Sequence, residues 1–315
     1  MNRLAFYSLS AALTAMIGLV QGCGAPGVID GARARAHVEA MVAIGPRPAG
    51  SAALAQCRDY IVGELRKLGI EPTVDKFTKE EQAPGIEFHN IEFEIPGTNT
   101  SDPRVLVLGG HYDTKRVDVP DNPNQGMNFV GANDGGSSAG LLIELARHFK
   151  NHPLPCRLLL VWFDGEESIP WQWDMDRALF GSRRSVAQLR KRFPKSVTQG
   201  APVMVLLDMV GSKELSITKD TASNPELLAI IGATARELGH SDKFFHEETE
   251  VTDDHVPFIN FGIKAIDIIQ FDAKVQGSWW HTAADNMSLI SAESLAIVGE
   301  VVAKALPKIA ARYYK

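Results

Sequence analysis

The sequence has few cysteines and only a small excess of one sign of charge, and each of these features excludes classes of protein. Only 3 of the 315 residues are cysteine, too few for the framework of bridges that holds small secreted domains together. Acidic residues exceed basic ones only by 38 to 32. This balance is typical of neither a basic nucleic-acid-binding surface nor a highly charged disordered chain. We therefore expect no nucleic-acid partner.

Several familiar signatures are missing as well. The chain has no zinc-finger spacing, no phosphate-binding GxxxxGK[ST] loop and no GxGxxG fingerprint of dinucleotide-binding folds. It has neither a repeat of a few tens of residues nor a low-complexity tract. What it does have is 45% hydrophobic residues, enough for one large folded core or two modest ones.

The N-terminus has the composition of an export signal. Arg3 precedes an uncharged apolar run at 4–20, and Gln21, Gly22 and Cys23 follow it. A basic start, an apolar middle and a break with small residues are typical of secretory signals. A buried helix or a membrane anchor is the alternative, although an anchor needs about 20 apolar residues and this run is slightly short.

The small Gly22 before Cys23 resembles the processing site of bacterial lipoproteins, in which the cysteine carries the lipid. We predict a signal peptide with a candidate lipid anchor at 1–23, a linker at 24–29 and a single catalytic domain at 30–315. The expected location is the bacterial periplasm, or a membrane to which the lipoprotein is anchored.

The remaining chain alternates between amphipathic segments and short apolar runs. Helices are predicted at about 30–44, 51–68, 137–149, 182–192, 224–238 and 292–311. Strands are predicted at about 87–95, 105–108, 157–163, 203–207 and 265–269. Continuous apolar runs between helices are typical of parallel strands that are buried on both faces. The sequence therefore predicts a three-layer α/β domain, with a mixed, mostly parallel sheet flanked by helices. Cys57 and Cys156 fit small buried hydrophobic residues.

Residues with metal-binding side chains follow most of the predicted strands. They are His111, Asp113, Asp134, Glu166, Glu167, Asp208, His281 and Asp285. Because sites in open α/β sheets form outside the carboxyl ends of the strands, we expect these side chains to gather at one edge. Each of them alone fits a turn or a helix cap. Together, several carboxylates at one edge would repel each other unless a cation neutralised them, so the pattern predicts a metal site.

The adjacent Glu166 and Glu167 fit this prediction. Successive side chains in extended backbone point to opposite sides, so one glutamate can bind the metal while the other faces the substrate. Mixed histidine and carboxylate ligands suit zinc. Manganese or cobalt would fit the same ligands.

Seven short segments, taken in order, carry a resemblance to a known enzyme family. They are HYDTK (111–115), FVGANDGGSSAGLLIELAR (129–147), FDGEE (163–167), LFGSRR (179–184), LLDMVG (206–211), DDHVPF (253–258) and WHTAADN (280–286). This series resembles the M28 metallopeptidase superfamily and, within it, the glutaminyl-peptide cyclotransferases. The upstream GPRPAGS (45–51) also fits, and the resemblance covers about residues 30–312.

The resemblance implies a zinc-exopeptidase α/β fold with one bound Zn²⁺. Its ligands would be Asp134, Glu167 and His281. Glu166 matches the proton-shuttling glutamate of the family.

The resemblance also implies roles for residues around the metal. Asp208 and Asp253 match two aspartates that form a hydrogen-bonded chain near the reacting centre. Trp280 matches a tryptophan that lines the substrate pocket. Trp173 matches a second one, with Trp171 as the alternative.

The segment GANDGG (131–136) is closer to the aminopeptidases than to the animal cyclases. Two further positions also depart from the animal cyclases. They have a cysteine before HYD, where this chain has Gly110, so their disulfide is missing. They have a histidine at the position of Asp267, which leaves this wall of the pocket open. We interpret His255, in the DDH motif, as a residue that positions Asp253.

The same residues also fit a different enzyme, an M28 aminopeptidase with two zinc ions. In that reading His111 and Asp208 join the other three ligands, and Glu166 activates a water for amide hydrolysis. The aromatic segment 169–173, the acid at Asp253 and the tryptophan beside His281 favour the cyclase.

The sequence thus predicts a monomer that acts on peptides or proteins with N-terminal glutamine and converts this residue to pyroglutamate. A non-catalytic, metal-dependent receptor is a further alternative. It is disfavoured because the chain retains Glu166 and all of the ligand-type residues.

Overall fold

The described part of the chain begins just before the first predicted helix. The structure, a computed structural model, describes residues 28–69, 71–102, 104–194 and 202–314. The predicted signal peptide and Cys23 lie outside the described residues. Among the described residues, no helix combines the length and the apolar character that crossing a membrane requires.

The described residues form an eight-stranded sheet with the order β1-β2-β4-β3-β5-β8-β6-β7. The strands are β1 (Thr73–Thr78), β2 (Glu87–Ile95), β3 (Val105–His111), β4 (Arg157–Phe163), β5 (Val203–Asp208), β6 (Ile217–Asp220), β7 (Phe244–Thr249) and β8 (Lys264–Ile269). The four central strands, β4-β3-β5-β8, are parallel to one another. Both flanks contain antiparallel pairs. The prediction of a mixed sheet with a parallel centre is confirmed.

Helices cover both faces of this sheet. The longer ones are α1 (Gly31–Val42), α2 (Ala52–Arg66), α3 (Gly136–Asn151), α4 (Phe180–Arg192) and α5 (Pro225–Glu237). Two short ones follow, α6 (Val256–Asn260) and α7 (Ala273–Gln276), and the last is α8 (Ala292–Tyr313). Polar caps begin several of them, since Asp30, Ser51, Asn224 and Ser291 each accept a first-turn amide.

Alternate residues of the central strands enter two different cores. In β4, Leu158 and Leu160 pack with α1, α2, α3, α5 and α8, whereas Leu159 and Val161 pack with α4 and α6. This is the three-layer arrangement that the continuous apolar runs predicted. Cys57 and Cys156 are buried and carry no disulfide.

The prediction missed β1, β6 and β7. These strands lie at the flanks of the sheet; β1 exposes four of its six residues, β7 exposes three of six, and β6 has only four residues. They therefore lack the continuous apolar character of central strands.

Candidate active site

The side chains of the candidate site gather where the central strands end. His111 is the last residue of β3, and Asp208 is the last residue of β5. Glu166 and Glu167 follow β4 in the next loop. Parallel strands bring their carboxyl ends to one edge, so residues far apart in the sequence become neighbours.

Three of the predicted ligands form one compact group. Asp134, Glu167 and His281 each offer an atom, and these atoms all lie within 4.8 Å of one another. His281 Nε2 lies 3.4 Å from Asp134 Oδ2 and 3.3 Å from Glu167 Oε1. Both oxygens are buried and have no hydrogen-bond partner of good geometry among the described residues.

This arrangement fits a divalent cation. Buried acceptors without partners are costly, and a cation between the two carboxylates would satisfy both. One imidazole nitrogen and two carboxylate oxygens are ligands that zinc accepts. The donor set therefore matches the metal that the sequence predicts.

A second group lies beside the first and shares one residue with it. His111, Asp134 and Asp208 also offer ligand atoms within 4.8 Å of one another. His111 Nε2 lies 3.3 Å from Asp134 Oδ1 and 3.1 Å from Asp208 Oδ1. Because Asp134 belongs to both groups, the geometry accommodates either one metal ion or a bridged pair.

The surroundings of the adjacent glutamates shift their acidities in opposite directions. Burial raises the pKa of Glu166 well above its usual range, and the neighbouring charge of Glu167 adds to this effect. Burial alone would also raise the pKa of Glu167, but the opposing charges of His281 and Lys115 lower it to about 2. Glu166 can therefore hold a proton, whereas Glu167 remains a carboxylate.

Two further aspartates hold the backbone of the site. Asp113 accepts the N–H groups of Glu166 and Glu167 at 3.3 and 3.4 Å. Asp285 accepts the N–H groups of Asn133 and Asp134 at 2.7 and 3.0 Å. Both aspartates are fully buried. These contacts fix the segments that carry the candidate ligands, as the supporting residues of metal sites commonly do.

The loop before α3 requires glycine for a steric reason. Gly135 has φ +80°, and a Cβ added there would lie 2.5 Å from the carbonyl oxygen of Asp113. Only glycine adopts this conformation in this space without strain. Gly135 thereby lets Asp134 sit directly beside His111.

Two buried cations support the same loops. Arg47, from GPRPAGS, donates to the carbonyl oxygens of Val130 and Gly131 at 2.8 and 3.1 Å. Lys115 donates to the carbonyl oxygen of Ser168 at 2.9 Å and lies 3.5 Å from Glu167 Oε2. Lys115 belongs to the HYDTK segment, but nothing in the linear sequence marks it as a neighbour of Glu167.

A cavity of about 200 Å³ opens onto the first group. Its acidic end contains Asp134, Glu166, Glu167, Asp208 and Asp253, and its apolar wall contains Trp173, Met209, Val251, Ile269, Phe271 and Trp280. The Trp280 ring stacks on His281 at a centroid distance of 4.0 Å, and the Phe271 ring meets Trp280 edge-on. Val251, Ile269 and Phe271 were missed because nothing in the linear sequence marks them as neighbours.

The two tryptophans of the loop after Glu167 have different positions. Trp173 lines the cavity and is 42% exposed, so it lies at the mouth. Trp171 is outside the cavity, with its ring 5.8 Å from that of His281. Of the two tryptophans, only Trp173 therefore forms part of the cavity wall.

A chain of buried acids continues behind the cavity. Burial and the charge of Asp208 raise the pKa of Asp253 to about 7. The interpretation of His255 requires a correction, because its ring nitrogens face Asp220 Oδ2 at 3.1 Å and Asp267 Oδ2 at 3.7 Å rather than Asp253.

The sequence profile of peptidase family M28 matches residues 90–306, which is more than half of the chain. The chain belongs to peptidase family M28. The fold of this M28 protein is similar to those of solved glutaminyl cyclases and of a solved Zn-dependent exopeptidase.

Glutaminyl cyclases are among its relatives. A solved glutaminyl cyclase from an Acidobacteriales bacterium is 31% identical, with a TM-score of 0.79, over 96% of this chain and 100% of its own. The glutaminyl-peptide cyclotransferase of Drosophila melanogaster is 26% identical over 282 residues, 80% of this chain and 75% of its own length. A solved Zn-dependent exopeptidase from Parabacteroides distasonis is 27% identical, with a TM-score of 0.74, over 88% and 97%.

The departure at Gly110 has a structural cause in this M28 protein. A Cβ added at Gly110 would lie 2.8 Å from the carbonyl oxygen of Leu207 and 2.9 Å from Ser138 Cβ. The packing of β3 against β5 and α3 therefore leaves no room for a larger residue here. A cysteine, and hence a disulfide, would require these elements to move apart.

Proposed function

We propose that this protein cyclises the N-terminal glutamine of peptides or proteins to pyroglutamate and releases ammonia. One observation carries this proposal. Asp134, Glu167 and His281 converge at one end of the small cavity, while Glu166 lines the same cavity without belonging to that group. The arrangement leaves Glu166 free for proton transfer. The likeness to glutaminyl cyclases supports the same activity.

We propose a single Zn²⁺ held by Asp134, Glu167 and His281. When bound, zinc supplies a Lewis acid that polarises the γ-carbonyl group of the substrate glutamine. The lowered pKa of Glu167 keeps its carboxylate available as a ligand.

The protein's own residues would position the substrate and move a proton. The α-amine attacks the γ-carbonyl carbon, the bond to the side-chain nitrogen breaks, and ammonia leaves. Because this attack is intramolecular, a side chain held bent against Trp280 and Trp173 has already lost much of its entropy. Glu166 takes the proton that the amine loses and gives it to the departing nitrogen.

Asp208 and Asp253 would support this transfer. Both line the acidic end of the cavity, and the charge of Asp208 raises the pKa of Asp253. Asp253 can thus hold a proton near neutral pH. A proton on Asp253 would limit the repulsion that the ionised Glu166 meets during the transfer.

The second candidate function is that of a di-zinc aminopeptidase. The group His111, Asp134 and Asp208 favours it, because its geometry accommodates a second ion. In that reading Glu166 would activate the attacking water.

A dipeptide amide that begins with glutamine separates the two functions. The zinc-loaded protein should release ammonia and leave a blocked pyroglutamyl product, as mass spectrometry would detect. Release of free glutamine would identify the aminopeptidase instead. The corresponding alanine dipeptide amide is the control, since it contains the scissile peptide bond but cannot cyclise.

The location and the assembly state are also proposals. We propose that residues 1–23 direct export to the periplasm and that Cys23 carries a lipid anchor, as the composition of this segment indicates. We propose that the mature protein is a monomer. Mass spectrometry of the mature N-terminus and light scattering of the purified protein test these two points.

A further inference from the structure

A groove of about 290 Å³ lies between the starts of α4 and α6. Its apolar walls consist of Met175 and Leu179 from the loop before α4, Val186 from α4, and Val256 and Pro257 from α6. Arg183, on α4, also lines the groove and donates to the carbonyl oxygen of Met175. This contact attaches the loop at 168–179 to α4.

Two backbone hydrogen bonds join the groove to the cavity of the candidate active site. The amide of Leu179, in the groove, donates to the carbonyl oxygen of Glu166 at 2.9 Å. The amide of Val256, also in the groove, donates to the carbonyl oxygen of Asp253 at 2.9 Å. Glu166 and Asp253 line the cavity. Residues of the groove wall are thus bonded directly to residues of the cavity wall, and the two spaces are neighbours.

Exposed apolar side chains extend from the mouth of the cavity to the groove. Trp173, at the mouth, is 42% exposed, and Met175, in the groove, is 38% exposed. Phe261 follows the last residue of α6 and is 38% exposed as well. In the described part of the chain, only two other large hydrophobic side chains are exposed to this degree, Val28 and Val74. Large apolar side chains that are exposed together are typical of binding surfaces.

The position of the groove indicates which molecule would cover this surface. A cavity of about 200 Å³ accommodates little more than the glutamine itself, so the rest of a peptide substrate must leave at the mouth. The Cα atoms of Trp173 and Met175 are at most about 7 Å apart, and an extended chain advances about 3.3 Å per residue. The second residue beyond the glutamine therefore reaches the groove.

We propose that the groove binds the third and fourth residues of the substrate and favours uncharged, apolar side chains there. Such side chains would cover Met175 and Val256 and remove apolar surface from water. The nearby charges have both signs, since Arg183 lines the groove and Asp174 and Asp176 flank Met175 in the chain. They therefore favour neither a basic nor an acidic residue. This inference rests on the proposed cyclisation and adds the class of peptide that undergoes it.

Three peptides test the groove on the zinc-loaded mature protein. They are Gln-Gly-amide, Gln-Gly-Leu-Leu-amide and Gln-Gly-Ser-Ser-amide. The leucine peptide should have a kcat/KM about tenfold above that of the serine peptide, mainly through a lower KM. Cyclisation of all three with equal kcat/KM overturns this inference and leaves the proposed function intact. If none of them is cyclised, the proposed function is wrong and the inference fails with it.

Three variants of nearly unchanged size locate the effect. Met175→Gln and Val256→Thr make the groove polar, and each should lower the ratio of kcat/KM between the leucine and serine peptides by about threefold or more. Val74→Thr is the matched control, because Val74 is 39% exposed and lines neither the groove nor the cavity. Its ratio should stay unchanged. If both groove variants keep the full ratio and Trp173→Ala loses it, the leucines bind at the mouth and the proposal is wrong.

Discussion

Glu166 and Glu167 are adjacent in the chain, yet their carboxylates face different histidines. Glu167 Oε1 lies 3.3 Å from His281 Nε2, whereas Glu166 Oε2 lies 3.8 Å from His111 Nδ1. The backbone amides of both residues bind one carboxylate, that of Asp113. A single anchor thus holds two neighbouring side chains in two different electrostatic environments.

Because the two glutamates have different surroundings, the same substitution at each should impair a different property, turnover at Glu166 and zinc binding at Glu167. Glu166→Gln should lower kcat by about 10²–10⁴, because it removes the proton carrier, and should retain the zinc. Glu167→Gln should lose zinc, because it removes a candidate ligand. Metal analysis by mass spectrometry, paired with the dipeptide assay, measures both effects. Loss of zinc from Glu166→Gln would assign the ligand role to the other glutamate.

The substitution Asp285→Asn should weaken zinc binding without removing a candidate ligand. Asparagine retains one acceptor oxygen, so it can bind only one of the amides of Asn133 and Asp134 well. We expect zinc affinity to fall by about 10- to 100-fold, as competition with a chelator would measure. At saturating zinc the turnover should recover most of its value. Unchanged affinity would show that Asp285 does not position Asp134.

The two tryptophans predict a difference in substrate binding. Trp173→Ala should raise KM on the order of tenfold, because it removes apolar surface at the mouth of the cavity. Trp171→Ala is the matched control, since Trp171 does not line the cavity, and its KM should change less. Steady-state kinetics on a glutamine dipeptide amide measures both. The reverse order would place Trp171 at the substrate.

Substituting two glycines with similar φ angles should distinguish the cost of backbone strain from the cost of steric crowding around an added Cβ. Gly135 and Gly239 have φ of +80° and +82°, but only Gly135 has backbone within 4 Å of an added Cβ. Gly239→Ala should therefore cost about 1–3 kcal/mol of unfolding free energy, from the angle alone. Gly135→Ala should cost more and also weaken zinc binding. Urea denaturation gives the comparison, and equal costs would contradict the steric argument.

The folded protein should lose stability in acid because of Glu144 and its cationic partners, which lie away from the candidate active site. Glu144 lies 2.9 Å from Arg33, 3.0 Å from Arg147 and 3.5 Å from His37. Burial opposes ionisation, but hydrogen bonds from these three residues lower the pKa of Glu144 to about 2, against an ordinary 4.5. The unfolded chain then binds more protons in acid. The stabilisation is therefore complete above about pH 4.5 and is lost as the pH falls towards about 2.

The variant Glu144→Gln should be less stable near neutral pH and should lose less of its stability in acid. Glu39→Gln is the control and should behave as the unchanged protein, since Glu39 lies on α1, the helix that carries Arg33 and His37, and its side chain is 63% exposed. Urea denaturation at about pH 7 and about pH 3 makes the comparison. Parallel pH dependences of the unchanged protein and Glu144→Gln would contradict this account.

The sequence predicted the centre of the fold better than its flanks. The segments that form β3, β4, β5 and β8 are apolar on both faces, and this pattern can be recognised in the sequence without knowing which strands pair. The flanking strand β1 alternates little and is mostly exposed. Its pairing with β2 depends on long-range register, which a single sequence does not reveal.

The site shows a similar limit. Acids at the ends of strands could be predicted from topology, but residue type alone does not separate a ligand from a backbone anchor. Asp134 joins both metal groups, whereas Asp113 and Asp285 accept main-chain amides. The partners of His255 were also beyond the sequence, because Asp220 and Asp267 reach it from two different strands.

The candidate ligands span the chain from His111 to His281, and this spacing has a consequence for the order of maturation. A polypeptide that has emerged only as far as β5 carries Asp134 and Glu167 but not the imidazole that faces them. Complete coordination of the proposed zinc would therefore follow closure of the long loop between Asp134 and His281. Under the proposed export, a chain that crosses the membrane unfolded would bind its metal only on the far side.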